Sequence, residues 1–160
     1  MTIQVGDKLP GITVTTMTAD GPKPVSMEEL CAGKKVVLFA VPGAFTPTCS
    51  VEHLPGFVTN AENLRDKGVD IVACISVNDP FVMGAWEKDR SSGENVLMLS
   101  DGNAEFTSAV GLEMDGSGFG LGTRSQRYAM IIDDGVVSNL NVESGPGLEV
   151  SSAEAILAVL

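Results

Sequence analysis

With 160 residues, 44% of them apolar, the chain is long enough to bury one core unaided by disulfides or metals, so a single domain spanning 1–160 is expected. A net charge of −11, from 21 acidic and 10 scattered basic residues, argues against nucleic acid or anionic membrane as partner. Three irregularly spaced cysteines and one histidine suggest neither a disulfide framework nor a zinc site, and no apolar run nears the about 18 residues of a membrane span. With no signal pattern in Met1–Lys8, a cytoplasmic protein is expected.

In chain order, Ser26 with Glu29 forms a capping box for a short early helix. Lys35–Val41 and Val69–Val77 are β-branched, nearly continuous apolar runs, the pattern of strands buried on both faces. Between them, Val51, Leu54, Phe57, Val58, Ala61 and Leu64 recur at helical steps from Thr48 to Lys67, with Gly68 as the stop. Pro55-Gly56 should kink this helix about two turns in. The βαβ unit carries Cys49 beyond the carboxyl end of its first strand, the edge at which α/β sheets bind ligands.

Asp79 and Pro80 open a helix running to about Arg90, with Phe81, Val82, Ala85 and Trp86 as its expected buried face. A β segment at Asn95–Leu99 and a short helix near Ala104–Val110 follow, then the glycine-rich run Gly116–Gly122, a mobile loop by composition. Asp134-Gly135 joins Arg127–Ile132 to Val136–Leu140 as a hairpin. Ser151 with Glu154 is the expected capping box of a last helix to Leu160. The fold class is α/β, a central mixed sheet flanked by helices.

Cys49, where a helix begins after a strand, is set up to ionise: free backbone N–H groups and the helix dipole both stabilise an anion there and lower a thiol pKa. The setting resembles the thioredoxin fold, but Thr46 stands where a CxxC protein has its first cysteine, leaving a single nucleophile. His53, four residues on, permits a Cys–His dyad, although shielding of the site is the stronger reading. The glycine run has the wrong spacing for a nucleotide loop.

Pro42, Thr46 and Cys49 form P-x-x-x-T-x-x-C, which resembles the active-site signature of peroxiredoxins, thiol peroxidases of thioredoxin fold. The string from Pro42 to Gly56, with Ser76–Phe81 and Arg127–Met130, is similar to the type II, peroxiredoxin 5-like subfamily over nearly the whole chain. The resemblance implies reduction of hydrogen peroxide and organic hydroperoxides through a Cys49 sulfenic acid, without metal or other cofactor. It assigns the distant arginine of the site to Arg127, with Arg124 as rival.

In that chemistry Arg127 supplies fixed charge and N–H donors, while the Thr46 hydroxyl accepts the peroxide proton and donates toward sulfur. Gly43 gives a backbone donor and close approach of the loop to its ligand. Pro42 shapes and dries the pocket, and Phe119 adds an apolar wall.

Sulfenic acid must then be reduced. Val150 stands where animal members carry a resolving thiol. Plant-type members resemble this chain in having a cysteine at the position of Cys74, twenty-five residues after Cys49, so Cys74 is a candidate resolving residue and also a candidate core residue. Glutathione with glutaredoxin, or thioredoxin, is the implied reductant, and a homodimer the implied assembly. The competing reading is a redox sensor or relay that passes oxidation from Cys49 to partner proteins; Cys31 is read as structural.

Overall fold

The computed structural model describes residues 1–160. In chain order the elements are β1 (Thr13–Thr18), β2 (Gly21–Ser26), α1 (Met27–Cys31), β3 (Lys35–Ala40), a π-helical turn (Cys49–His53), α2 (Leu54–Thr59), α3 (Ala61–Asp66), β4 (Ile71–Ser76) and α4 (Pro80–Arg90). β5 (Leu97–Ser100), α5 (Glu105–Ala109), β6 (Glu113–Asp115), a 3₁₀ turn (Ser117–Phe119), β7 (Thr123–Ser125), β8 (Tyr128–Asp133), β9 (Val136–Val142) and α6 (Ala153–Leu157) complete the chain. No helix is long and apolar enough to cross a membrane.

Seven strands form one mixed sheet in the order β2-β1-β5-β4-β3-β8-β9. β3 lies parallel to β4 and antiparallel to β8, and β4 lies parallel to β5. The continuous apolar runs follow from this placement, because alternate residues of a central strand feed two cores. Val37, Phe39, Val72, Cys74, Ala129 and Ile131 face one, with Cys49, Phe57, Met83 and Trp86. Val36, Leu38, Ala40, Ala73, Ile75, Tyr128 and Met130 face the other, with Cys31 and Phe106.

The hairpin at Asp134-Gly135 forms as expected, with both residues left-handed at φ 49° and 81°, the twist that antiparallel strands need. Ser26 and Asp79 cap α1 and α4, accepting from Glu29 N and Val82 N.

Two expectations need correction, and two hairpins lay outside the expected elements. The β1–β2 hairpin has no counterpart among the expected elements: Pro22 and Pro24 mask β2, and an edge strand tolerates them because its outer N–H groups need no partner. On α4, Phe81 is 68% exposed and Ala85 also faces out, while Met83, Gly84 and Trp86 are buried. Gly84 sets that rotation, since a Cβ on it would lie 2.8 Å from Met17 Cγ of β1, a strand the helical periodicity alone does not reveal. The glycine run is the connection of a β6–β7 hairpin, closed by Gly116 N to Gly122 O at 2.6 Å. Finally, Ser152 caps α6, accepting from Ala155 N; Ser151 is engaged elsewhere.

Candidate active site

The loop after β3 is fixed by hydrogen bonds from two sides. Ala44 N donates to Asn78 Oδ1 at 3.0 Å, and Ser76 Oγ donates to the same oxygen at 2.6 Å. From the β6–β7 hairpin, Arg124 donates through Nη1 to Pro42 O (3.3 Å) and through Nε to Leu121 O (2.9 Å). Gly43 leaves room for this clamp, because a Cβ there would sit 3.0 Å from Arg124 Nη1 and 3.1 Å from Thr46 Cγ2. Phe45 is held at φ 65°, a left-handed conformation costly for a residue with a bulky side chain. The Thr46 hydroxyl donates to Gly43 O at 2.6 Å, not toward sulfur as expected, which leaves its lone pairs to accept.

The irregular start of the next helix follows from Pro55, which offers no N–H to an α-helical ladder. Leu54 N instead reaches Cys49 O, five residues back, and the expected kink takes the form of this π turn, with a second break at Asn60. Cys49 is completely buried. Its neighbour Ser50 accepts a hydrogen bond from Trp86 Nε1 at 2.9 Å, tying the turn to α4.

Arg127, just ahead of β8 and 8% exposed, donates from Nη2 to Cys49 Sγ at 3.1 Å. Its Nη1 donates to His53 Nδ1 at 3.0 Å, and His53 Nε2–H donates to Ser151 O at 2.8 Å. An arginine has no proton to lose at ordinary pH, so Nδ1 must be the acceptor and the ring neutral. Both ring nitrogens are thereby occupied, which removes the Cys–His dyad; His53 steadies the arginine and packs against Phe39 and Phe57, with ring centroids 4.9 and 5.6 Å away. Arg124, bound to the loop carbonyls, is not the arginine at sulfur.

Burial first, and the Arg127 charge second, push the His53 pKa down to about 3. The unfolded chain therefore binds a proton that the folded chain refuses, so stability is constant above about pH 6.5 and falls as pH drops from there toward the folded value. Between about pH 7.5 and 5.5 this one residue should cost about 1.4 kcal/mol. Urea denaturation at the two pH values checks it, and the difference should vanish in His53→Gln.

Cys74 is fully buried on β4, in register with Phe39 and Met98, and burial pushes its thiol pKa well up, with the neighbouring Cys49 adding to the rise. Cys31 is likewise pushed up, to about 11, chiefly by burial. All three cysteines are free. An open cavity of about 540 Å³ lies over Arg127 and Thr46, walled by Pro42, Met114, Phe119 and Pro146. Phe119 overhangs it at 88% exposure. Sequence spacing gave no sign of Ser50–Trp86 or of the Ser151 contact. Asn78 lay within the Ser76–Phe81 string, but without a role.

A family model described as Redoxin matches residues 4–157. The chain is 54% identical to Peroxiredoxin-2E, chloroplastic, of Arabidopsis thaliana, an alignment covering 99% of this chain and 69% of that protein. It is 50% identical to Peroxiredoxin-2B of the same plant, covering 99% of this chain and 98% of the relative. Among solved structures, reduced Prx3 from Vibrio vulnificus in complex with hydrogen peroxide has a TM-score of 0.94 at 58% identity, covering 98% of each chain.

Proposed function

The chain belongs to the Redoxin family and is a peroxiredoxin, a thiol peroxidase of thioredoxin fold, and we propose that Cys49 is its peroxidatic nucleophile, served by Arg127, Thr46 and Pro42. The hydrogen bond from Arg127 to the buried sulfur carries this assignment. The Cys49 thiolate attacks the terminal oxygen of a hydroperoxide; an S–O bond forms as the O–O bond breaks. Sulfur is oxidised by two electrons to a sulfenic acid, and the departing oxygen takes up a proton as water or alcohol. Arg127 faces the charge as it moves from sulfur to oxygen. Thr46, its own proton committed to Gly43 O, accepts from the peroxide hydroxyl, while Pro42 and Phe119 wall the pocket and Gly43 admits the Arg124 clamp.

An external thiol then attacks the sulfenic sulfur, releasing water and leaving a mixed disulfide; glutathione with glutaredoxin, or thioredoxin, fills this role. Support for an external donor comes from Cys74, whose place inside the sheet gives it access to Cys49 only after the π turn unwinds. Free, buried cysteines suit a reducing compartment such as the cytoplasm or an organelle interior. A homodimer through the rim of the site is supported by exposed Phe45 and Val51, with Phe81 on adjoining α4.

Mixing the reduced protein with one equivalent of hydrogen peroxide and trapping with dimedone tests the assignment by peptide mapping. The adduct should map to Cys49, with Cys74 and Cys31 alkylated only after denaturation. A Cys49–Cys74 disulfide, seen as loss of two hydrogens, would instead make Cys74 the resolving residue. An adduct on either other cysteine would remove Cys49 from the role.

A further inference from the structure

Arg127 is aimed by His53, and His53 is in turn held by a carbonyl that lies far away in sequence, in the segment between β9 and α6. That segment has its own anchor. Glu143, the residue after β9 and 8% exposed, accepts through a single carboxylate oxygen, Oε2, from Glu149 N (3.0 Å), Val150 N (2.9 Å), Ser151 N (2.8 Å) and Ser151 Oγ (2.6 Å). Its backbone N–H also donates to Arg127 O at 2.9 Å. One residue therefore grips the arginine by its main chain and, through Ser151 O and His53, by its guanidinium.

We infer that Glu143 is a positioning residue for the peroxidatic site, acting with Ser151 to hold the Ser151 carbonyl on His53 Nε2–H and so to aim Arg127 at the Cys49 sulfur. The inference rests on the reading of Cys49 as nucleophile. A carboxylate needed only to close a surface turn would have no reason to feed a buried chain of hydrogen bonds that ends at sulfur. Here each joint of the chain pairs a donor with an acceptor: carboxylate to Ser151 N–H and Oγ–H, Ser151 O to imidazole N–H, imidazole Nδ1 to guanidinium N–H, guanidinium to sulfur. Such a continuous network favours one arrangement over others, because breaking a joint strands a buried polar group. Burial tends to raise the Glu143 pKa, but the bonds from Ser151, Val150 and Glu149 outweigh it and keep the carboxyl below its usual range, hence ionised.

His53 is the only histidine of the chain, so its ring can be observed without ambiguity. The experiment compares the full-length protein with Glu143→Gln and Ser151→Ala, recording the His53 Nε2–H proton by ¹⁵N-edited NMR and the second-order rate with hydrogen peroxide. The wild-type ring proton should be downfield and slow to exchange. In Glu143→Gln it should move upfield or exchange away, and the rate should fall on the order of tenfold, as when a group that orients a reactive neighbour is lost. Ser151→Ala, which deletes one donor and leaves the backbone, should show the same pair of changes with a rate loss of about threefold. If Glu143→Gln fails to fold, Ser151→Ala decides by the same criteria. An unchanged rate, or a rate loss with the ring proton intact, overturns the inference. A wild-type protein that does not react with peroxide overturns the peroxidatic reading beneath it.

Discussion

Cys49→Ser should abolish peroxide consumption, a fall on the order of 10⁴-fold or more, while the protein stays folded. The hydroxyl that replaces the thiol remains un-ionised at neutral pH and is a poor nucleophile toward an O–O bond. Neither remaining cysteine can take over. Cys74 lies inside the sheet and Cys31 at the end of α1 in the opposite core; burial pushes both thiol pKa values up, and neither sulfur accepts an arginine N–H as Cys49 Sγ does. A colorimetric assay of residual peroxide, with thiol reductant in excess, makes the comparison directly. Turnover retained in Cys49→Ser would end the assignment of this sulfur.

Arg127→Met should slow the reaction with hydrogen peroxide by about 10²- to 10³-fold, the size of effect seen when an aimed charge stabiliser is removed. Methionine fills much of the space but offers no N–H, so Cys49 Sγ and His53 Nδ1 lose their donor together. Arg127→Lys should recover little. A single ammonium cannot span the two acceptors that the guanidinium fork serves at 3.1 and 3.0 Å. Arg124→Gln provides the contrast, since that side chain holds Pro42 O and Leu121 O, and its loss should reach sulfur only through the loop. Second-order rate constants for the three variants order these roles; a rate in Arg127→Met equal to wild type would take Arg127 out of the chemistry.

Much of the fold could be read from local pattern because its central strands feed two cores. β3, β4 and β8 are apolar at nearly every position, and such runs admit few other readings. Positions settled by a neighbour distant in sequence were less readable. Which way α4 turns is decided by Met17 packing on Gly84, so counting large apolar residues put Phe81 and Ala85 inside, where they are not. Arg124 and Arg127 are three residues apart, and only the β6–β7 hairpin sends one to the loop carbonyls and leaves the other beside Cys49. Ser151 looked like a helix cap because it stands three residues before Glu154. Glu143, eight residues upstream, claims that hydroxyl, and Ser152 takes the cap. Thr46 shows the same limit at atomic scale: its position was evident, but the direction of its proton depends on where Gly43 O lies.

Trp86 is the only tryptophan of the chain, and its indole N–H is bound to Ser50, the residue next to Cys49 in the π turn. Any motion that brings Cys49 out to meet a second thiol must part these two groups. Excited at wavelengths where Tyr128 does not absorb, the protein emits from one ring, tethered to the residue beside Cys49. Oxidation of sulfur and unwinding of the turn are separate events, and the emission of Trp86 should report the second. A stopped-flow trace of that emission should therefore time the opening of the turn without a label.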